Sequence, residues 1–272
     1  MLSPAAEKII NDYFNLPLPG IANVRCPYFN NSRANQRGQL RALTGKGTPN
    51  EIIAEAKIIS LQYKSGLFCK NGDCAEKNDH TGAPFTADEV VKFLVDHNLG
   101  IECSGFVSQV LRAHFQETKK IDFTKKMFIV PPSHLLRWLL AKLRPIENIS
   151  VRVLADDANS NHVIGGAIGY NYENVLPGDV VIMLDTGPLG KRNHILLITA
   201  KTGAIINYVH ARAWTSEGRY NHGVSRGTIT IMNPLKTLLE QTWTEKELSG
   251  DKNETFIEAK QARILEIKRL KV

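Results

Sequence analysis

Cys103 is the residue in this chain best placed by sequence to act as a nucleophile. It sits in Gly100-Ile101-Glu102-Cys103-Ser104-Gly105-Phe106-Val107-Ser108-Gln109-Val110-Leu111, where a polar turn becomes an apolar helical run. A thiol at a helix start faces backbone N–H groups without intrahelical partners and the positive end of the helix dipole. Both favour the thiolate, which is the nucleophilic form. The same N–H groups could hold an oxyanion on an attacked carbonyl. A buried structural cysteine is the competing reading of this segment taken alone.

A cysteine nucleophile needs a base, and the base needs a group that orients it. Of eight histidines, His194 opens the apolar run Ile195-Leu196-Leu197-Ile198-Thr199. His210 closes the next apolar run, after a turn at Lys201-Thr202-Gly203. Two strands joined by such a turn form a hairpin, and adjacent antiparallel strands can bring their side chains together. Either histidine alone reads equally as a surface residue or a hydrogen-bonded core residue.

The elements that would carry these residues are well marked. Pro4 occupies the first position of an N-terminal helix, where its missing N–H costs nothing. Thr48-Pro49-Asn50-Glu51 and Thr86-Ala87-Asp88-Glu89 are capping boxes that start two more helices. Pro131-Pro132-Ser133 predicts a further helix through Leu143. Beyond about residue 150 short β-rich runs follow one another: Asp179–Leu184, His194–Thr199, Ala204–His210, Gly227–Ile231 and Ala262–Ile267. Helices first and strands later predict an α+β protein with an antiparallel sheet.

Four segments together resemble the NlpC-type cell-wall peptidases, which are papain-like cysteine hydrolases. Glu102-Cys103-Ser104-Gly105-Phe106-Val107 is similar to their Asp-Cys-Ser-Gly-Phe-Val signature. Pro177-Gly178-Asp179-Val180-Val181 resembles their Pro-Gly-Asp-Leu-Val strand, and Asn193-His194-Ile195-Leu196-Leu197-Ile198 the strand bearing the catalytic histidine. Tyr208-Val209-His210-Ala211 resembles their Ile-His-Ala element. The match covers about residues 95–215. Departures are Glu102 in place of Asp, Leu196 in place of a Gly, the absence of a Tyr-x-x-Gly-Gly element, and a long interval between Cys103 and His194. The resemblance implies Cys103 as nucleophile, His194 as general base and His210 as its orienter, with the backbone at Cys103 and Ser104 supporting the oxyanion. It implies a peptide or peptidoglycan-fragment substrate of bacterial cell-wall type, and no metal or organic cofactor.

Composition narrows the field. The chain has 272 residues, 43% of them hydrophobic and 22% charged, which suits a globular protein with a sizeable core. No apolar run is long enough to predict a membrane span. The N-terminus carries Glu7, Lys8, Asn11 and Asp12 where a secretory signal needs unbroken apolar residues, so the expected compartment is the cytoplasm, with export by another route left open. Four cysteines are too few for a disulfide scaffold. Cys26, Cys69, Cys74 and His80 could form a loose zinc set, but incidental thiols in a polar loop are the preferred reading. Asp73, Glu76 and Asp79 lack the glycine and closing glutamate of a calcium loop. The net charge of +7 admits an anionic partner without selecting one. Lys260, Arg263, Lys268, Arg269 and Lys271 read as the solvated face of an edge strand, not as a nucleic-acid surface. Gly165-Gly166-Ala167-Ile168-Gly169 lacks the lysine and helix of a phosphate loop and reads as a turn or a flexible insert.

The expected architecture is a helical extension over residues 1–83, then a catalytic domain over 84–272 with an insert at about 116–170. In that domain the Cys103 helix packs on an antiparallel sheet. The expected activity is cleavage of amide bonds through a thioester. An intracellular amidase or acyltransferase and a non-catalytic binding module are the alternatives. The enzyme readings require Cys103 and His194 side by side, with His210 against the second ring nitrogen of His194.

Overall fold

The structure is a computed structural model that describes residues 1–29, 44–69, 84–129 and 143–272. The helix expected at Pro131–Leu143 lies outside this set except for Leu143, and Lys70–Thr81, whose polar composition reads as a linker, lies wholly outside it. The described chain is α+β: six α-helices and an eight-stranded sheet. It divides into two compact units. One holds Met1–Ala6, Cys103–His210 and Ser225–Val272; the other holds Glu7–Glu102 and Ala211–Val224.

The first three helices start where the sequence predicts, and α2 and α3 lie wholly in the second unit. Helix α1 spans Pro4–Phe14, α2 Pro49–Tyr63 and α3 Ala87–Asp96. Both capping boxes are closed: Thr48 Oγ1 accepts from Glu51 N–H at 3.2 Å while Glu51 accepts from Thr48 N–H at 2.8 Å, and Thr86 and Glu89 repeat the arrangement. The division does not run at residue 83. Backbone bonds join Ile101 N–H to Pro27 O (2.9 Å), Phe29 N–H to Ile101 O (3.1 Å) and Tyr28 N–H to His222 O (3.3 Å). Residues 98–102 and 211–224 therefore belong with the segment around Pro27, because that segment satisfies their backbone groups.

The first unit holds helix α4 (Cys103–Lys119), the short α5 (Val151–Ala155) and α6 (Glu254–Gln261). Its strands are β1 (Ser160–Ile164), β2 (Val180–Thr186), β3 (Arg192–Thr202), β4 (Ile205–Arg212), β5 (Gly223–Thr230), β6 (Thr242–Glu245), β7 (Leu248–Ser249) and β8 (Ile264–Leu270). Their order across the sheet is β1-β8-β2-β3-β4-β5-β6-β7. The pairings β1–β8, β8–β2, β2–β3, β3–β4, β5–β6 and β6–β7 are antiparallel. Helix α4 packs against β3. The N-terminal residues join this unit through α4: Ser3 N–H donates to His114 Nδ1 at 3.1 Å, and Ala5 N–H to Glu117 at 2.8 Å.

The placement of β8 corrects one expectation. It is not an edge strand but lies between β1 and β2, because the polar segment Ser160–Ile164, unmarked by any apolar run, pairs along its outer side. Its basic residues are accordingly partnered. Lys268 is buried and donates to Ala155 O and Asp157 Oδ1, both at 2.6 Å. Arg269 holds Asp179 through two bonds, at 2.7 and 2.9 Å. The expected turn at Gly165–Gly169 is present as a 3₁₀ turn flanked by glycines with positive φ.

One face of the sheet carries a core that includes Leu196 and Ile198 on β3, Ile206 and Tyr208 on β4, Ile229 on β5 and Trp243 on β6. Side chains two apart share a face, so these rows continue into His194, His210 and Glu245. Trp243 anchors its row by donating Nε1–H to Leu238 O at 2.9 Å. Gly227, which lies opposite Glu245 in the β5–β6 register, leaves room for the Tyr208 ring: a Cβ there would come within 2.3 Å of its Cζ and hydroxyl. No helix among the described residues is long and apolar enough to cross a membrane. Gly227→Ala should cost about 1–3 kcal/mol through overpacking, as read by the shift in chemical denaturation midpoint.

Candidate functional site

Cys103 is the first residue of α4 and is buried, with 6% of its surface exposed. Ser104 follows it at 3%. Cys103 Sγ lies 4.0 Å from the carbonyl oxygen of Asn193, the residue immediately before His194. The nucleophile candidate is thus set against the start of β3. Helix α4 can begin at Cys103, well before the apolar run from Val107, because Ser104 and Gly105 are small enough to be buried in its first turn.

His194 and His210 meet directly. His194 Nε2 lies 2.7 Å from His210 Nδ1, with the ring planes at 71° and both residues buried. The strand register explains the meeting. Leu197 pairs with Val209, and one further step sets His210 opposite Leu196, on the same face as His194 and diagonal to it. Across the sheet on the other side, His194 is opposite Met183 of β2.

The described histidines outside this pair have local partners. His97 Nδ1 lies 2.9 Å from Phe93 O, and His222 Nε2 lies 2.8 Å from Trp214 O. His114 accepts from Ser3 N–H, and burial lowers its pKa, which suits a neutral ring accepting through Nδ1. His162 lies between Asp157 (3.0 Å) and Glu266 (3.2 Å). None of them bonds to a second histidine in these contacts, which sets His194 and His210 apart.

Sequence reasoning missed Glu245. It ends β6 with its side chain fully buried, and its Oε2 lies 3.1 Å from His210 Nε2. Ser225 Oγ (2.5 Å), Thr255 Oγ1 (2.9 Å) and Tyr208 OH (3.2 Å) donate to the same carboxylate. The row therefore runs from His194 through His210 to a buried acid, and Cys103 lies beside Asn193, the residue before His194. The only sequence signal for Glu245 was the alternation Thr242-Trp243-Thr244-Glu245, which puts it on the face of Trp243. The charged run Glu245-Lys246-Glu247 masks that signal by resembling a solvated turn. Lys246 and Glu247 do form one, a two-residue hairpin loop with both φ values positive, at 51° and 62°.

Glu102, beside Cys103 in sequence, pairs with the buried Lys46. Cys26 has a different setting from Cys103: it is completely buried, and desolvation pushes its thiol far above the ordinary range. Cys69 is exposed. Cys74 and His80, the other members of the possible zinc set, lie outside the described residues, as do Asp73, Glu76 and Asp79. Among the described residues no group of three or more His, Cys, Asp or Glu could hold a metal ion.

No protein-family model, curated protein or solved structure matches this chain. The chemical reading therefore stands on the site itself. The setting of Cys26 yields one expectation. In the native protein at neutral pH, iodoacetamide should leave Cys26 unmodified while labelling it after denaturation, as mapped by peptide mass spectrometry.

Proposed function

We propose that the protein is a cysteine hydrolase of papain-like, NlpC-type architecture that cleaves amide bonds. The observation that carries this reading is the buried 2.7 Å contact between His194 Nε2 and His210 Nδ1, at the strand end against which Cys103 sits. A base held this way by a second imidazole has a fixed ring orientation, which proton transfer to and from a nucleophile needs.

In this scheme His194 takes the Cys103 thiol proton and the thiolate attacks the carbonyl carbon of the amide. Backbone N–H groups at Cys103 and Ser104 support the resulting oxyanion. The C–N bond then breaks, and the proton on His194 passes to the leaving amine. A water, deprotonated by His194, attacks the thioester; the acid departs and the thiol is restored. Each step conserves the proton that His194 carries. The four segments that resemble the NlpC-type peptidases favour a peptide of bacterial cell-wall type, such as one with a γ-D-glutamyl bond to a diamino acid.

Cys103→Ala and His194→Ala should each lower hydrolysis of such a peptide by about 10⁴-fold or more. Chromatographic product analysis of the wild-type and variant proteins checks this. Full activity in folded Cys103→Ala overturns the reading. The same assay run with an added amine distinguishes hydrolysis from acyl transfer, because a transferase yields the new amide in place of the acid.

A further inference from the structure

We propose that Glu245 is a positioning residue: as an ionised carboxylate it fixes the tautomer of His210, and through His210 that of His194, so that His194 keeps Nδ1 unprotonated for the thiol. This rests on the reading of Cys103 as nucleophile and names a part of that machinery outside the three-residue set.

Four groups converge on two carboxylate oxygens: Ser225 Oγ on Oε1, and Thr255 Oγ1, Tyr208 OH and His210 Nε2 on Oε2. An ionised carboxylate can only accept, so it is compatible with all four groups as donors, three of them sharing Oε2. His210 then carries its proton on Nε2, and its Nδ1 is an acceptor. The 2.7 Å contact requires one proton between the rings, so His194 supplies it from Nε2. His194 Nδ1 is left with its lone pair, and that is the nitrogen able to act as base.

The opposite polarity shows what the charge decides. A protonated Glu245 would donate to His210 Nε2, His210 Nδ1–H would donate to His194 Nε2, and the single ring proton of His194 would sit on Nδ1. Neither ring nitrogen of His194 would then be available as a base. Both polarities fit the same heavy-atom positions, so the ionisation of Glu245 selects between them. When the Cys103 proton moves to His194 Nδ1, the imidazolium formed is balanced by a carboxylate one ring away, in a setting with little solvent to screen it. The ionisable groups among the described contacts of the row are Cys103 on α4, Tyr208 on β4 and Glu245 on β6. Met183 from β2, Ser225 from β5 and Thr255 from α6 do not titrate.

Two measurements test this, and neither needs a substrate. Histidine-selective ¹⁵N NMR of the unmodified protein, above the pH of imidazole titration, should show both His194 and His210 protonated on Nε2. A proton on Nδ1 of either ring overturns the proposal. Second, the pH profile of Cys103 alkylation, followed by mass spectrometry, should move up by about one unit or more in Glu245→Gln, a tenfold loss of reactivity at neutral pH. Glu245→Asp keeps the charge and should lie nearer the wild type. An unchanged profile in folded Glu245→Gln also overturns the proposal, and if that variant does not fold the NMR result decides alone. A wild type that hydrolyses no amide but shows both Nε2 protons sinks the hydrolase reading and keeps the positioning role. An active wild type with either contrary result does the reverse.

Discussion

A carboxylate taken out of water costs several kcal/mol unless donors replace its hydration. Glu245 meets that constraint with four contacts from two strands and a helix. Tyr208 and His210 come from β4, Ser225 from β5 and Thr255 from α6, all converging on the last residue of β6. The hairpin turn at Lys246-Glu247 ends β6 at that point, and Asn253, which accepts from the backbone of Thr255 and Phe256, fixes the start of α6. The buried acid thus makes the positions of several elements depend on one another.

The same face of the sheet shifts from apolar to polar along its length. Leu196, Ile198, Ile206, Tyr208 and Trp243 form an interlocked core, and the next positions in those rows are His194, His210 and Glu245. The dry core holds the strands in register, and the register sets the diagonal between the two histidines. Tyr208 belongs to both regions. Its ring packs at 6.0 Å from Trp243 and edge-on to His210 at 5.4 Å, while its hydroxyl reaches Glu245. Gly227 opposite Glu245 is what leaves space for that ring.

The cysteines show how environment separates identical side chains. Cys26 is enclosed and its thiolate is strongly disfavoured by desolvation. Cys103 is also buried, but it starts a helix and lies beside the strand that bears His194. Burial alone would make both inert. The proposed role of Cys103 as nucleophile therefore rests on its place at a helix start beside that strand, not on exposure.

Much of this was legible in the sequence because it depends on near neighbours. The capping boxes at Thr48 and Thr86 act over three residues, so their helices begin where the residues say. Apolar runs marked β2, β3, β4, β5 and β8, and the turn at Gly203 brought His194 and His210 within one hairpin. The remainder depended on contacts between distant segments. The polar strand β1 moved β8 inside the sheet and converted supposed surface cations into Lys268 and Arg269 ion pairs. Glu245 meets His210 across 35 residues and two intervening turns, and its neighbours Lys246 and Glu247 are those of an exposed loop. Sequence determined the residue types, the helix starts and the hairpin that could join two imidazoles. Tertiary structure decided which acid stands behind them, because a buried charge is stabilised by donors gathered from separate strands, and no local pattern records that gathering.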